Sequence, residues 1–203
     1  MKKFMALLLV AGMTLSLTAC GGSTDTAKTD QAGGKDTFTV GFDQDFPPFG
    51  YVGDDGEFTG FDIEMATECA ARMGKKIVLQ PIDWDAKDME LEAGTIDCIW
   101  NGFTMNGRED QYTWTDPYMD NSQVVVVKKD SGINTLADLA GKVVEVQKES
   151  AAETALNDEE HADLMASFAQ LLSVGEYNTA FMDLESGAVD AVAIDIGVAQ
   201  FQI

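Results

Sequence analysis

The spacing of apolar residues predicts a chain of alternating strands and helices. In residues 61–73 the apolar side chains fall at positions 63, 66, 69, 70 and 73, which places them on one face of a helix, and Gly74 is a helix stop signal. Short apolar runs predict strands at residues 38–42, 76–80, 96–100, 123–128, 143–147 and 189–194. Further helices are predicted at residues 85–93, 135–140 and 176–186, with another starting at Ser150. Strands that alternate with helices indicate an α/β fold with parallel sheet.

One of the predicted strands differs from the others in composition. Residues 123–128 are a nearly continuous run of valine. Such a run is typical of a strand that is covered on both faces, and we expect this strand to be buried.

Two segments of the chain share one pattern, in which Leu-Glu-x-Gly ends a helix and a strand follows. The copies are residues 91–99 and 184–192, and polar residues follow each, beginning at Asn101 in one copy and at Asp195 in the other. Two similarly built lobes that present strand ends to a shared cleft would give this pattern. A chance match between two α/β segments is the alternative.

Composition and charge narrow the possible functions. The chain has 203 residues, of which 45% are hydrophobic, so it can form a buried core in one or two domains. Its formal net charge of −22 repels phosphates, which argues against a nucleic-acid partner. The sequence holds a single histidine, which leaves little for catalytic triads or zinc sites. We therefore expect no metal and no cofactor.

The first residues have the features of an export signal. Lys2 and Lys3 precede a mostly apolar stretch, residues 4–17, which is too short to span a membrane comfortably. Small residues then precede Cys20, as in bacterial lipoprotein signals, in which this cysteine is lipidated. An ordinary signal followed by a chance cysteine is the alternative. We expect a signal peptide at residues 1–19 and a flexible polar tether at residues 20–36.

Two further cysteines, Cys69 and Cys98, lie in a predicted helix and a predicted strand. Export permits a disulfide between them. Their apolar surroundings favour buried free thiols, and both readings stay open.

A strand-loop-helix unit at residues 41–66 carries the most information. Asp43 and Phe46 follow the first strand, two prolines stiffen the turn, and a glycine-rich loop leads to the helix. In open α/β sheets, ligands bind beyond the carboxyl ends of the strands. The sequence therefore predicts a ligand site at this edge.

Several motifs together resemble the bacterial solute-binding proteins that deliver polar amino acids to ABC importers. They are Asp-x-x-Phe-Pro-Pro-Phe from Asp43, Gly-Phe-Asp-Ile-Glu-Met-Ala from Gly60, Asn-Gly-Phe-Thr from Asn101, Trp-Thr-Asp-Pro-Tyr from Trp114, and the closing Asp195. The resemblance covers residues 38–203. It implies a two-lobed periplasmic-binding-protein-like fold of type 2, in which each lobe is a sheet flanked by helices. It also implies an amino-acid ligand, a permease partner and a monomer.

Three charged residues would bind the ligand's polar groups. Arg108 suits a ligand carboxylate, because guanidinium binds carboxylate through two parallel hydrogen bonds, although it could be a plain surface arginine. The resemblance implies that Asp195 binds the α-ammonium and that Asp43 reaches the distal side-chain group. A helix cap is the alternative for Asp195, and a turn-forming cap is the alternative for Asp43.

The resemblance also implies uncharged contacts to the ligand. Phe46 and Trp84 would enclose the ligand side chain, and core packing is the alternative for each. The flanking acids make Trp84 look too polar for the deep core. The other implied ligand contacts are Asn101, Gly102, Thr104 and Ser150.

One segment departs from the family pattern. Where relatives carry Gln-Gly-Ser/Thr-Ser/Thr, this chain reads Gln-Lys-Glu-Ser from Gln147. We take Lys148 to replace the glycine and Glu149 to replace one hydroxyl. The expected contact from Ser150 therefore rests on a weaker match.

The lobes are expected at residues 37–121 (first lobe) and 122–203 (second lobe). Relatives continue beyond the strand that bears Asp195 and cross back to complete the first lobe. We therefore expect this chain to be C-terminally truncated, with that return segment missing.

The leading interpretation is a lipid-anchored receptor on the outer face of the cell membrane, without enzymatic activity. One alternative is an enzyme on the same fold, similar to the cyclic-acid dehydratases, with Asp43 or Asp195 transferring protons. Another is a ligand-sensing domain. The identity of the amino acid stays open among glutamine, cystine, basic and small neutral side chains.

Overall fold

The computed structural model describes residues 36–203. The predicted signal peptide, Cys20 and nearly all of the predicted tether lie outside this range. Ten strands run in the order β1 (Thr37–Phe42), β2 (Asp45–Phe46), β3 (Gly50–Val52), β4 (Phe58–Thr59), β5 (Lys76–Pro81), β6 (Cys98–Ile99), β7 (Gln123–Val127), β8 (Val143–Gln147), β9 (Gln170–Val174) and β10 (Ala191–Asp195) within this range. The α-helices there are α1 (Phe61–Arg72), α2 (Lys87–Ala93), α3 (Ala151–Leu156), α4 (Ala162–Ser167), α5 (Tyr177–Ser186) and α6 (Ile196–Gln202).

The strands form two main sheets, each with helices packed against it. The first sheet has the order β5-β1-β6 and is parallel. The second has the order β7-β10-β8-β9, in which β7 alone is antiparallel to its neighbour. We call the part that holds the first sheet the first lobe and the part that holds the second sheet the second lobe. The expected two-lobed α/β architecture is confirmed.

Most predicted elements are present, with differences at chain positions where the apolar pattern is short. The predicted helix at residues 135–140 is a 3₁₀ turn, Leu136–Leu139, and Trp84–Ala86 is another that precedes α2. Strands β2, β3, β4 and β9 and helices α4 and α6 were not predicted. The valine strand β7 is an edge strand whose residues are half-buried. Val124 and Val126 pack against one core cluster and Val125 and Val127 against another, so the expected coverage of both faces is confirmed, although the edge position leaves the strand half-buried rather than buried.

The expectation of free thiols is confirmed for the two cysteines, while the expected full burial is not. Cys69 and Cys98 are both free, and both are half-buried rather than buried. No helix among residues 36–203 is long and apolar enough to cross a bilayer.

A small antiparallel meander joins the two lobes. Its strands β2, β3 and β4 pair in order, and the turn between the first two presents Phe49. The Phe49 ring stacks on Phe46 with a centroid distance of 5.5 Å, and both rings belong to the core cluster of α5 and β10 in the second lobe. A Cβ added at Gly197 would lie 2.8 Å from the Phe49 ring. Packing of the Phe49 ring against Gly197 therefore holds the meander on the second lobe.

We predict that Phe49→Ala lowers the free energy of unfolding by about 3–5 kcal/mol, the usual cost of removing a buried phenylalanine. Phe49 is 5% exposed. Chemical denaturation measures the change. Met182→Ala is the control, because Met182 is 68% exposed and its loss should cost no more than about 0.5 kcal/mol. Equal effects of the two substitutions would contradict the packing described here.

Candidate functional site: a cleft between two sheets

The carboxyl ends of the first sheet's strands supply one wall of the cleft. Asp43 follows β1, Trp84 starts the turn after β5, and Asn101 follows β6. Because the three strands are parallel, these side chains reach the same edge of the sheet. Asn101 ties two of the strand ends together, since its Oδ1 accepts a hydrogen bond from the Asp43 backbone N–H at 2.9 Å.

The second sheet supplies the opposite wall in the same way. Gln147 ends β8, Gly175 follows β9, and Asp195 ends β10. These three strands are parallel to one another, so their ends also share an edge. The two edges contact each other directly, because Gln147 Nε2 donates to Asp43 Oδ2 at 2.7 Å.

A small cavity lies where the two edges meet. It encloses about 20 Å³, roughly the room for one water molecule. Every predicted ligand residue except Asp43 lines it. The full lining is Phe46, Trp84, Asn101, Gly102, Phe103, Thr104, Arg108, Gln147, Ser150, Ala151 and Asp195. We call it the central cavity.

The prediction missed Phe103, Gln147 and Ala151 in this lining. Phe103 and Ala151 are sequence neighbours of predicted residues, and Phe103 and Gln147 lie within motifs already singled out. The sequence signal was therefore present at the level of the motif. Which side chain of the motif turns inward depends on the backbone and could not be found from the pattern.

Arg108 is buried at the joint between the lobes, with 7% of its surface exposed. Its Nη2 donates to the Glu149 carbonyl at 2.8 Å and to Thr154 Oγ1 at 3.2 Å, both in the second lobe. The guanidinium lies over the Phe103 ring at 5.2 Å. This burial is not that of a plain surface arginine.

Asp195 is the anion in the same cavity, with 5% of its surface exposed. It occupies the N-cap position of α6, yet its side chain makes no capping hydrogen bond. Its Oδ1 instead accepts hydrogen bonds from Gln123 Nε2 at 2.7 Å and from Asn121 Nδ2. Burial raises the pKa of Asp195, and those hydrogen bonds and the charge of Arg108 partly offset the rise.

Asp43 lies behind the central cavity and faces a second, larger one. Its Oδ1 accepts from the Asp45 N–H at 2.8 Å, so it does form the local turn, and its Oδ2 accepts from Gln147. Burial raises the pKa of Asp43 to about 6. One carboxylate therefore serves both the turn and the contact between lobes.

The second cavity holds about 500 Å³ and is strongly acidic. Trp84 lines both cavities, so they adjoin at its ring. The carboxylates that line the second one belong to Asp43, Asp45, Asp83, Asp85, Glu90 and Glu176. We call it the acidic cavity.

Both predicted aromatic walls are buried. Trp84 is 6% exposed, so the expectation that it is too polar for the core was wrong. Its flanking acids point away into the acidic cavity, while its ring lies edge-on to Phe103 at 5.1 Å. Phe46 packs on Tyr177 in the core of the second lobe and also lines the central cavity. Packing and ligand contact are thus compatible for both rings.

The remaining predicted residues have structural hydrogen bonds in addition to their place in the cavity. Ser150 Oγ caps α3 by accepting from the Glu153 N–H at 3.1 Å. Thr104 Oγ1 accepts from Asn121 Nδ2 at 3.0 Å. Gly102 has the left-handed φ of 56° that favours glycine. Its N–H donates to the Tyr118 hydroxyl at 3.2 Å.

Residues 36–203 contain no cluster of histidine, cysteine and carboxylate side chains that could hold a metal ion. The two cavities combine a buried arginine, Arg108, with two buried carboxylates, Asp43 and Asp195, and with aromatic rings.

Comparison with known proteins identifies the family. Residues 38–181 match the profile of the bacterial extracellular solute-binding proteins, family 3. The chain belongs to this family. Among its relatives, the arginine-binding extracellular protein ArtP of Bacillus subtilis is 36% identical over 148 residues, which are 72% of this chain and 56% of ArtP.

This chain covers a larger share of two further solute-binding relatives. The L-cystine-binding protein TcyJ of Escherichia coli K12 is 31% identical over 94% of this chain and 69% of TcyJ. A crystal structure of an ABC uptake transporter substrate binding protein from Streptococcus pneumoniae with bound histidine matches with a TM-score of 0.78 and 35% identity, over 83% of this chain and 69% of that one. The chain thus spans between 56% and 69% of the length of these solute-binding proteins.

We predict that Asp43 makes the protein less stable as pH rises. A carboxyl whose pKa is raised by folding favours the folded state when protonated. That contribution is complete below about pH 4, the usual pKa of the unfolded side chain, and is lost as pH rises through about 6. Between pH 4 and 7, the wild type should lose about 2 kcal/mol relative to Asp43→Asn. Urea unfolding of both proteins across this range measures the difference, and parallel curves would contradict it.

Proposed function

We propose that the protein is a receptor that captures a polar amino acid between its two lobes and delivers it to the permease of an ABC importer. The observation that carries this proposal is the burial of Arg108 and Asp195 in one cavity at the joint of the lobes. Arg108 belongs to the first lobe and Asp195 to the second. An amino acid offers the complementary pair of charges, and membership of the solute-binding family agrees with it.

The Arg108 guanidinium has hydrogen-bond donors that could bind a ligand carboxylate. Its Nη2 is engaged by Glu149 and Thr154 in the second lobe, whereas Nη1 has one long contact of 3.5 Å to the Thr104 carbonyl. A carboxylate pairs with a guanidinium through Nη1 and Nη2 or through Nε and Nη2, so a ligand carboxylate would bind Nη1 first and form its second hydrogen bond by replacing one of the present acceptors of Nη2. The α-ammonium would then lie toward Asp195, replacing hydrogen bonds now made by side-chain amides.

Binding requires the lobes to move. A central cavity of about 20 Å³ is too small for an amino acid, so the lobes must separate to admit one and close around it. A ligand that contacts both lobes stabilises the closed form, which is the usual hinge mechanism of such receptors.

The surroundings of Trp84 favour a ligand with a cationic side chain. A side chain that leaves the central cavity past Trp84 would enter the acidic cavity. Carboxylates there attract a positive group, and the aromatic face adds cation–π attraction. Arginine and histidine are the ligands named for two of the relatives. We therefore place arginine, lysine and histidine ahead of cystine and glutamine.

We further propose that the protein acts outside the cytoplasmic membrane as a lipid-anchored monomer, with Cys20 as the acylated residue. The extracellular family and the signal-like first residues support this location. We propose no catalytic step, because the buried charges are arranged for a zwitterion and the relatives named above are binding proteins.

We predict that one or more cationic amino acids raise the midpoint of thermal unfolding. At about 100 times its dissociation constant, a ligand should add about 2.7 kcal/mol of stability. Arg108→Ala should weaken binding by about 100-fold, since it removes a buried partner of the ligand carboxylate. Arg72→Ala is the matched control, because Arg72 is an exposed arginine on α1 that pairs with Glu68 on the same helix.

Two results would contradict this function. A cooperative unfolding transition that no amino acid shifts would remove the receptor assignment. A new product formed from the added compound, found by mass spectrometry, would favour the enzyme alternative instead.

We predict that Cys20→Ala releases the exported protein from the membrane. Cells fed an alkyne-tagged fatty acid should label the wild type, and the variant should appear unlabelled in the soluble fraction. Cys69→Ala is the control, because that cysteine lies in α1 and its loss should leave labelling intact. Labelling of Cys20→Ala would contradict the assignment.

A further inference from the structure

Glu149 has an unusual backbone conformation at the joint of the lobes. It is the one non-glycine residue with a positive φ, 57°, among residues 36–203. This left-handed region is uncommon for residues with a side chain, and such residues cluster at functional sites. It also corrects the sequence comparison, because the glycine-like conformation falls at Glu149 and not at Lys148.

This conformation turns the Glu149 carbonyl toward the first lobe. The carbonyl accepts hydrogen bonds from Arg108 Nη2 at 2.8 Å and from Trp84 Nε1 at 3.3 Å. The Glu149 N–H points the other way and donates to Glu153 Oε2 at 2.7 Å. The Glu149 carbonyl therefore binds both Arg108, the proposed partner of the ligand carboxylate, and Trp84, the aromatic residue that lines both cavities.

The Glu149 side chain makes a second connection to the first lobe. Its Oε2 accepts from Lys87 Nζ at 2.9 Å. Lys87, the first residue of α2, is 2% exposed, whereas the Glu149 side chain is 54% exposed. The Lys87 ammonium also lies over the Trp84 ring at 5.3 Å.

The burial of Lys87 makes this ion pair important for closure. A buried ammonium is costly unless it is paired, and Glu149 is its only ionic partner among the described residues. Separation of the lobes would break this pair and both hydrogen bonds to the carbonyl at the same time. The contacts therefore favour the closed arrangement in which Arg108 and Trp84 face the cavity.

We propose that Lys87 and Glu149 are positioning residues that hold the lobes closed and slow the release of the bound amino acid. The proposal rests on the receptor function proposed above. Lys87 and Glu149 act through Arg108 and Trp84, which they keep in place. A purely local role in folding would instead change the free energy of unfolding and leave the rate of release unaltered.

The test is a double-mutant cycle with Lys87→Met and Glu149→Gln. Lys87→Met keeps the apolar stem against Trp84 and removes the charge, so it does not leave a buried ammonium unpaired. Glu149→Gly is a third variant, since it relaxes the left-handed backbone while removing the carboxylate. Lys148→Met is the matched control, because Lys148 joins Asp85 across the same lobes in an exposed pair at 3.8 Å.

Two readouts are measured for each variant. The first is the dissociation rate of L-arginine by stopped-flow fluorescence. The second, made without any amino acid, is the solvent exchange of the Trp84 indole N–H by NMR, assigned with Trp84→Phe. Chemical denaturation gives the free energy of unfolding in parallel.

The proposal expects Glu149→Gln and Glu149→Gly to release arginine about tenfold faster or more, and to expose the Trp84 indole to faster exchange. Glu149→Gln should have little further effect in the Lys87→Met background, and Lys148→Met should change either rate less than twofold. Unchanged release and exchange in both Glu149 variants would overturn the proposal. If the wild type does not bind arginine, the proposed receptor function is contradicted for that ligand. The exchange rate of the Trp84 indole then still decides whether Lys87 and Glu149 hold the lobes together.

Discussion

The site depends on one constraint, which is that charged groups can leave water only where opposite charges or hydrogen bonds replace it. Arg108, Lys87 and Asp195 are all buried where the two sheets meet. Arg108 and Lys87 find their partners in the opposite lobe. Asp195 is held by amides at the start of the second sheet. The lobes can therefore close only in an arrangement that gives each of these charges a partner. The same arrangement places Arg108 and Asp195 in one cavity.

The parallel strands explain why so few residues build this site. The ends of three strands from each sheet lie opposite one another. Asp43, Trp84 and Asn101 follow strands of the first sheet and therefore face Gln147 and Asp195, which end strands of the second. The meander adds rigidity, because its Phe49 is locked against Gly197 in the second lobe. Helices packed against each sheet hold its strands, and therefore the strand ends, in place. The polar groups of these strand ends thereby lie at one edge of each sheet, and the segment between β6 and β7 adds Arg108.

The fold was largely predictable because long apolar patterns dominate local structure. Helix α1 and strand β8 were found almost to the residue, since their patterns are continuous and end at clear stop signals. Contacts between lobes were not predictable. Nothing in the pattern showed that Glu149 adopts the left-handed backbone or that Lys87 is buried, because both depend on the approach of segments about 60 residues apart. Asp195 was found through its motif, whereas its amide partners, Asn121 and Gln123, lie just before and at the start of β7, where no motif marked them.

The most direct test of this account is calorimetric binding of three related compounds: L-arginine, agmatine, which lacks the carboxylate, and Nα-acetyl-L-arginine, which lacks the α-ammonium charge. If Arg108 and Asp195 bind the two ends of a zwitterion, arginine binds and each analogue is weaker by about 100-fold, since a buried charge is left without its partner. Equal affinity for all three compounds would contradict the account, because it would show that recognition does not involve the paired charges of the cleft.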